Sequence, residues 1–347
     1  MKIDAREIGA HVRPYLIAEM SGNHNQSLER ALAIVDAAAG AGADAIKLQT
    51  YTADTMTLDV QAPGFVIEDD ASLWAGRRLY DLYREAQTPW EWHRPIMDRA
   101  ASHGISCFSS PFDESAVDFL ESAGVPAYKV ASFENTDLPL IRKIARTGKP
   151  MIISTGMASA AEIDEAVRTV REVGNSQLLL LKCTSTYPAT AANTNLRTIP
   201  NMRDTFGCLV GLSDHTMGCG AAVAAVAFGA VVVEKHFTLA RSDGGVDAAF
   251  SLEPAEFSLL REEMDRAWQA LGAVVYGGTR AEDKSRAFRR TLYIARDVAA
   301  GEMLTAENMR IVRPGFGLPP KFYDVLLGKR VNRALVAGTP LQWDYVG

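Results

Sequence analysis

Eight short apolar runs alternate with amphipathic segments through about the first 270 residues, and this alternation limits the possible folds most strongly. The amphipathic segments end at glycines, the usual signal for the end of a helix. The apolar runs occupy residues 15–19, 45–49, 106–109, 127–131, 151–154, 178–182, 208–212 and 231–236. Eight strand–helix pairs predict an α/β chain folded as a (β/α)8 TIM barrel. The competing doubly wound open sheet would carry a glycine-rich phosphate loop after its first strand, and AEMSGN at 18–23 is not one.

The pattern changes after Gly272, where the helical periodicity gives way to a polar stretch and then to short elements. We therefore predict a barrel over residues 1–275, a linker over 276–289 and a small domain over 290–347. Within the small domain, residues 291–295 and 334–336 are predicted strands, and 305–309 and 320–327 are predicted short helices. A module of this size buries little core by itself, so we expect it to dock on another surface.

The charge of the chain limits its possible binding partners, and its cysteines indicate the cellular compartment. The chain has 36 basic and 42 acidic residues, a formal net charge of −6, and no basic run, which argues against nucleic acid. Four dispersed cysteines in apolar stretches are typical of reduced, buried thiols and favour a cytoplasmic protein. The uncharged stretch 216–233 is broken by glycines and predicts a helix, a turn and a buried strand rather than a membrane span.

Polar residues end the predicted strands, and in a barrel these ends form the site. Lys47 and Lys129 stand inside apolar runs, where a lysine is costly unless it has a partner. Strand alternation places Gln49 on the same face as Lys47. Two lysines accompanied by strand-end serines favour a cradle for phosphate and carboxylate, and the serines are Ser110, Ser132, Ser154, Ser185 and Ser213. Alternatively, the lysines pair with carboxylates, or one of them forms a Schiff base as in class I aldolases.

His215 and His236 end the last two predicted strands, so their imidazoles can meet at the mouth of the barrel. Two imidazoles with oxygen co-ligands suit a divalent metal ion such as Mn²⁺, although a single histidine is more often a packing residue. Glu19 and Glu134 are candidates for proton transfer or for binding substrate hydroxyls. The alternative for both carboxylates is a structural ion pair with Lys47 or Lys129.

These motifs together resemble the sialic acid synthase family over essentially the whole chain. The matching barrel segments are IAEMSGNHN (17–25), GADAIKLQT (42–50), PAYKVASFE (126–134), ISTGM (153–157), GLSDHT (211–216) and VEKHFT (233–238). The tail, with RPGFG at 313–317, resembles that family's antifreeze-like SAF domain, a small β-clip fold. Family members condense phosphoenolpyruvate with an N-acylated amino sugar and release phosphate, using a divalent metal.

The resemblance implies a role for each matching residue. It puts phosphoenolpyruvate on Lys47, Ser110, Lys129, Ser132, Ser154, Ser185 and Ser213, and the metal on His215 and His236, with Mn²⁺ favoured over Mg²⁺ or Co²⁺. It assigns sugar binding to Glu19, Gln49, Tyr187, Asp247 and Arg313, and catalysis to Glu134, Glu19 and the two histidines. Arg313 corresponds to an arginine that one subunit inserts into its partner's barrel, which implies a domain-swapped homodimer. Ser110 and Ser185 depart from the threonine and asparagine that are common in the family.

Within the family, the chain looks most similar to pseudaminic acid synthases. The similar segments are MSG (20–22), LWAGRRLYDLY (73–83), TPWEWH (88–93) and DAAFSL (247–252). They imply 2,4-diacetamido-2,4,6-trideoxy-L-altrose as the sugar, and the long segment 51–88 is a candidate for an apolar wall around it. The alternatives are a neuraminate or legionaminate synthase, a Schiff-base aldolase, and a binding module on an inert barrel.

Overall fold

The computed structural model describes residues 1–70 and 72–347, which divide into two units, Met1–Gly272 and Ala273–Gly347. In the first unit, eight parallel strands, β3 to β10, form a closed barrel in which β10 pairs with β3. Their bounds are Tyr15–Glu19, Ala45–Thr50, Ser106–Pro111, Tyr128–Val130, Met151–Ser154, Leu178–Cys183, Leu209–Asp214 and Val232–His236. The predicted (β/α)8 fold is therefore confirmed.

Helices α1 to α10 surround the barrel or lie in its loops. They span Leu28–Gly40, Ala53–Met56, Leu79–Ala86, His93–Ser102, Glu114–Ala123, Leu138–Ala145, Ala160–Glu172, Thr198–Phe206, Gly220–Ala227 and Pro254–Leu271. Short 3-10 helices lie at Trp90–Trp92, Ser132–Glu134, Ala191–Asn193, Arg241–Asp243 and Ala248–Phe250. Local sequence explains the ends: Ser159 and Glu162 form a capping box at the start of α7, and Gly124 ends α5 with φ 78°.

The barrel has an inner and an outer core. Outside the strands, the apolar faces of the helices pack on the sheet. Inside, side chains such as Ile17, Phe108, Ile152 and Leu179 fill the lumen towards the N-terminal ends of the strands. The N-terminal hairpin, made of β1 (Lys2–Ile3) and β2 (Arg6–Glu7), adds Ile3 and Ile8 to this inner core. The lumen is thus closed at that end, and the other end is left for a site.

Asp44 is the centre of an ion network at the N-terminal end of the barrel. Its Oδ1 lies 3.0 Å from Arg13 Nη2, and its Oδ2 lies 3.3 Å from Arg261 Nη1. Arg6 also pairs with Asp44, and Leu16 N donates to its Oδ2 at 2.8 Å. One carboxylate therefore joins the N-terminal segment, the start of β4 and helix α10.

The second unit has its own small core around β11 (Thr291–Ile294) and β12 (Met309–Val312), which pair antiparallel. Helix α11 (Tyr323–Leu326) follows, with 3-10 helices at Arg280–Phe288, Pro320–Phe322 and Trp343–Tyr345. The predicted helix at 305–309 is wrong, because this stretch turns directly into β12. The predicted strand at 334–336 is also wrong, since it contributes only the isolated bridge between Leu335 and Val298.

A membrane-crossing helix is not found among the described residues, where every helix is too short or too polar to span a bilayer. The uncharged stretch 216–233 instead contains helix α9 and the start of β10, separated by Gly229 with φ 91°. This agrees with the helix, turn and buried strand that the sequence predicts.

Candidate active site

A cavity of about 420 Å³ opens at the C-terminal ends of the barrel strands. Its floor carries charged and polar side chains from several strands, whereas one of its sides is apolar. Thirteen of the fifteen candidate residues line it, namely Glu19, Lys47, Gln49, Lys129, Ser132, Glu134, Ser154, Ser185, Tyr187, Ser213, His215, His236 and Asp247. Ser110 lies beside Lys47, and Arg313 belongs to the second unit.

Lys47 and Lys129 are buried on the floor and share one carboxylate partner, Glu234. Lys47 Nζ lies 2.6 Å from Glu19 Oε2, and both lysines lie 3.8 Å from Glu234. Burial opposes the charged form of Lys47, but Glu19 and Glu234 outweigh it, so the pKa of Lys47 lies above its usual value. Burial lowers the pKa of Lys129. The paired carboxylates compensate much of the positive charge that an anionic ligand would otherwise meet.

The candidate serines surround the two lysines. Ser110 Oγ accepts a hydrogen bond from Lys47 Nζ at 3.3 Å, and Ser213 Oγ donates to Glu234 Oε1 at 3.1 Å. Ser132 Oγ accepts from Gly156 N at 3.2 Å, and an added Cβ at Gly156 would lie 2.6 Å from that oxygen. A side chain at 156 would therefore displace the hydroxyls of Ser132 and Ser185 from their present positions.

The buried hydroxyl of Ser154 can bind a ligand atom or a water molecule. Its hydroxyl oxygen is buried and has no hydrogen-bond partner among the residues that the structure describes. A buried hydroxyl without a partner costs about 1–3 kcal/mol, so it indicates a position that a bound molecule or water satisfies.

The rings of His215 and His236 lie next to each other in the cavity, with centroids 5.3 Å apart and an angle of 58° between their planes. His215 Nδ1 lies 2.9 Å from the carbonyl oxygen of Thr184 and donates to it, so Nε2 is the ring nitrogen that remains for a ligand. Burial and nearby cations lower the pKa of His236 well below its usual value, so this imidazole is neutral. Its Nδ1 has no hydrogen-bond partner within the described part of the chain.

This donor set fits a divalent ion. Neutral imidazole nitrogen is a suitable ligand for Mn²⁺, Zn²⁺ and similar ions. Over residues 1–70 and 72–347, no group of three or more His, Cys, Asp or Glu side chains converges as a metal site. The two histidines would therefore hold an ion that takes its other ligands from water or substrate oxygens.

Gln49, Glu19, Ser21 and Asp247 form a hydrogen-bonded chain on one wall. Gln49 Nε2 donates to Glu19 Oε1 at 2.8 Å and to Ser21 Oγ at 3.0 Å. Ser21 Oγ in turn donates to Asp247 Oδ2, which also lies 3.8 Å from His236 Nδ1. The wall offers carboxylate and amide groups that can bind several hydroxyls.

Glu134 lies across the cavity from this wall, after β6. Burial raises the pKa of Glu134 to about 7, although the nearby Lys129 opposes the shift. Its Oε2 makes no hydrogen bond to any described residue. A carboxyl group that titrates near neutral pH and has a free oxygen can accept or donate a proton.

Sequence reasoning did not assign Glu234, Ser21 or Cys183 to the site, although all three line the cavity. Glu234 is one strand period from His236, so the alternation that places the histidine in the mouth also places this carboxylate there. Cys183 Sγ lies 3.9 Å from His215 Nδ1. Ser21 lies in the loop after β3, where strand alternation does not indicate a direction.

The apolar side of the cavity comes from the segment 51–88 between β4 and α4. Its contributions include Met56, Ile67, Trp74, Leu79, Leu82 and Ala86. Trp74 is fixed in place because its indole Nε1 donates to the carbonyl oxygen of Val246 at 2.9 Å. The segment therefore forms part of the cavity wall, as the sequence suggested.

Arg313 follows β12 in the second unit and is exposed there. The insertion of this arginine into a partner's barrel, and the domain-swapped dimer that it implies, stay predictions.

The fold, the cavity and the tail define a barrel synthase with a C-terminal SAF domain. The chain belongs to the NeuB family, whose model matches residues 34–276, and a SAF domain matches residues 289–346. It is 45% identical to a pseudaminic acid synthase of Campylobacter jejuni over 94% of this chain and 95% of that protein. It is 41% identical to a pseudaminic acid synthase of Helicobacter pylori, over 95% of this chain and 97% of that one.

More distant relatives also match over most of the chain. A diacetyllegionaminic acid synthase of Legionella pneumophila is 36% identical over 97% of this chain and 96% of its own length. The crystal structure of an N-acetylneuraminic acid synthetase from Leptospira borgpetersenii superposes with a TM-score of 0.74 at 29% identity, covering 82% of this chain and 94% of that one. These comparisons confirm the family that the motifs resembled, and with it that the chain is an enzyme.

Proposed function

We propose that the chain is a pseudaminic acid synthase, which condenses phosphoenolpyruvate with 2,4-diacetamido-2,4,6-trideoxy-L-altrose. The observation that carries the proposal is the identity of 41% and 45% to two such synthases over nearly the whole length of each chain. The cavity supports it by combining two buried lysines, two converging histidines and an apolar wall.

Phosphoenolpyruvate binds on the floor in this proposal. Lys47 and Lys129 hold its phosphate and carboxylate, since buried ammonium groups are effective partners for anions. The hydroxyls of Ser132, Ser154 and Ser213 complete the cradle, with Ser185 and Ser110 beside them. Ser154 Oγ, which lacks a partner among the described residues, gains one from the ligand.

The proposed cofactor is a divalent ion on His215 and His236, with Mn²⁺ favoured over Mg²⁺ or Co²⁺. When bound, it supplies Lewis-acid polarisation of the sugar's aldehyde oxygen. The protein's contribution is orientation, because the hydrogen bond to Thr184 fixes the His215 ring. Glu19, Gln49, Tyr187 and Asp247 bind the sugar, and the partner subunit's Arg313 completes the site in a domain-swapped homodimer. We place the enzyme in the cytoplasm.

The reaction joins the two substrates by a new carbon–carbon bond. C3 of phosphoenolpyruvate attacks the aldehyde carbon, which leaves an alkoxide on the sugar and a positive charge at C2. Water adds to C2 and gives one proton to Glu134, and one proton is taken up by the alkoxide, which becomes a hydroxyl. The bond between C2 and the phosphate oxygen then breaks, the remaining proton of the added water goes to the departing phosphate, and C2 becomes the ketone. The floor and the sugar wall hold both reactants in attacking geometry, which removes the entropic cost of a collision.

Glu134 is expected to act in its deprotonated form and to set the acid limb of the pH profile. Lys129, Lys47, Asp137 and Tyr83 are the charged or titratable groups around it. With a pKa of about 7, kcat/KM should rise from pH 6 to pH 8 as the carboxyl loses its proton. Glu134→Gln should lower kcat by about 10²–10⁴-fold and abolish this rise.

The measurement is the pH dependence of phosphate release by the wild type, by Glu134→Gln and by Glu114→Gln, a control on the exposed surface of α5. A limb that persists near pH 7 in Glu134→Gln would show that another group titrates there.

Phosphate release with three sugars tests the substrate. The wild type with Mn²⁺ and phosphoenolpyruvate is expected to turn over 2,4-diacetamido-2,4,6-trideoxy-L-altrose at least tenfold faster than its D-manno isomer or N-acetylmannosamine. Preference for either of the other sugars would keep the chemistry and replace the substrate. No release with any of them, together with borohydride trapping of Lys47 or Lys129 on a substrate, would establish the aldolase alternative.

A further inference from the structure

We infer that Trp74 is a specificity-determining residue, whose indole contacts the 6-deoxy methyl end of the sugar. The inference rests on the proposed function and names the part of the cavity that distinguishes this sugar from its 6-hydroxylated counterpart. The residue comes from the segment 51–88, which contributes to the cavity but holds none of the lysines, serines or histidines of the floor.

The position of Trp74 relative to the histidines carries the argument. The ring of Tyr187 lies 4.5 Å from the ring of His215, and the ring of Trp74 lies 5.9 Å from that of Tyr187. Three rings therefore follow one another from the histidine pair towards the segment 51–88. With the aldehyde carbon beside the histidines, as proposed above, Tyr187 and Trp74 form an aromatic wall on which the far carbon of an open-chain sugar can lie.

The surroundings of Trp74 are suited to a methyl group. Met56, Ile67, Leu79 and Leu82 line the same side of the cavity. A methyl group buried there gains hydrophobic contact, whereas a hydroxyl loses its water and gains little hydrogen bonding in return. In a hydrophobic pocket, one such group changes kcat/KM by about 10–200-fold.

Trp74 is also held firmly enough to discriminate. Its indole Nε1 donates to Val246 O at 2.9 Å, directly before Asp247 of the sugar wall. Its backbone N–H donates to Ser72 Oγ at 3.2 Å. A rigid wall rejects a larger or more polar end group because it cannot move to accommodate it.

The test compares two sugars that differ only at C6, 2,4-diacetamido-2,4,6-trideoxy-L-altrose and its 6-hydroxy counterpart, with the full-length enzyme. Wild type should favour the 6-deoxy sugar by about 10–200-fold in kcat/KM. Trp74→Ala should lose at least tenfold with the 6-deoxy sugar, mainly through its KM, and little with the 6-hydroxy sugar. Trp74→Phe keeps an aromatic ring but loses the N–H donor, so its kcat/KM with the 6-deoxy sugar should lie between those of the wild type and Trp74→Ala.

The KM for phosphoenolpyruvate should stay within twofold of the wild-type value in both Trp74 variants, since the lysines and serines that bind phosphoenolpyruvate are on the floor of the cavity. Leu73→Ala is the matched control, because Leu73 is the adjacent apolar residue and is 48% exposed. This variant should leave the ratio of kcat/KM between the 6-deoxy and 6-hydroxy sugars unchanged. Equal losses with both sugars in Trp74→Ala would overturn the inference and make Trp74 a loop anchor only. If the wild type itself releases no phosphate with the 6-deoxy sugar, the proposed function fails instead.

Discussion

Replacing His215 by alanine is expected to lower the rate of phosphate release by about 10³-fold, which corresponds to about 4 kcal/mol of lost transition-state stabilisation. The imidazole is one of two nitrogen donors that converge in the cavity, and its Nδ1 bond to Thr184 O aims Nε2 inwards. Only His236 would remain to hold the ion, so the variant should also bind Mn²⁺ much more weakly.

Two measurements check this expectation: phosphate release at saturating Mn²⁺, and Mn²⁺ binding followed by electron paramagnetic resonance without substrate. His103→Ala is the matched control, since His103 is an exposed histidine that contacts Asp36 on the outside of the barrel. Circular dichroism should show all three proteins folded. A folded His215→Ala with unchanged Mn²⁺ affinity would contradict the assignment of the metal ligands.

The second large effect concerns stability. Lys235→Met is expected to lower the free energy of unfolding of the barrel by about 3–5 kcal/mol. Lys235 Nζ lies 2.6 Å from Asp214 Oδ2, and both side chains are completely buried on the outer face of the strands. Lys235 also donates to the carbonyl oxygen of Thr216. Removing the cation leaves the carboxylate of Asp214 buried without its partner, and that is the main cost.

Urea denaturation of the full-length protein measures this effect. Lys143→Met is the matched control, because Lys143 makes an ion pair of similar length, 2.7 Å, with the exposed Asp118 and should cost at most about 1 kcal/mol. The double variant Lys235→Met/Asp214→Leu should recover part of the loss, since it removes the unpaired charge. A cost for Lys235→Met no larger than that for Lys143→Met would contradict the prediction.

The barrel could be predicted from sequence because buried parallel strands leave a strong local signal. The bounds of two strands, Tyr15–Glu19 and Met151–Ser154, agree with the predicted ones residue for residue. The helices Leu79–Ala86 and Thr198–Phe206 were not predicted, since they follow long loops rather than strands. The helix Ala53–Met56 was also not predicted, because four residues are too few to give a periodic pattern. In the small domain, strand pairing depends on distant partners, and this explains the wrong assignments at 305–309 and 334–336.

Strand alternation made it possible to predict from sequence those site residues that lie on the barrel strands. It placed Lys47 with Gln49, and it brought the two histidines of neighbouring strands together. Strand alternation does not predict which charged groups pair. The structure was needed to show that Glu234 lies 3.8 Å from both Lys47 and Lys129. The contact between Trp74 and Val246 joins residues 172 positions apart, and no local pattern indicates it.

The ion network around Asp44 lies at the opposite end of the barrel from the cavity. Substitutions in the segment 51–88 therefore leave the contacts of Asp44 intact. Substrate preference can therefore change through substitutions in the segment 51–88 while the ion network that joins the N-terminal segment, the start of β4 and helix α10 keeps its contacts.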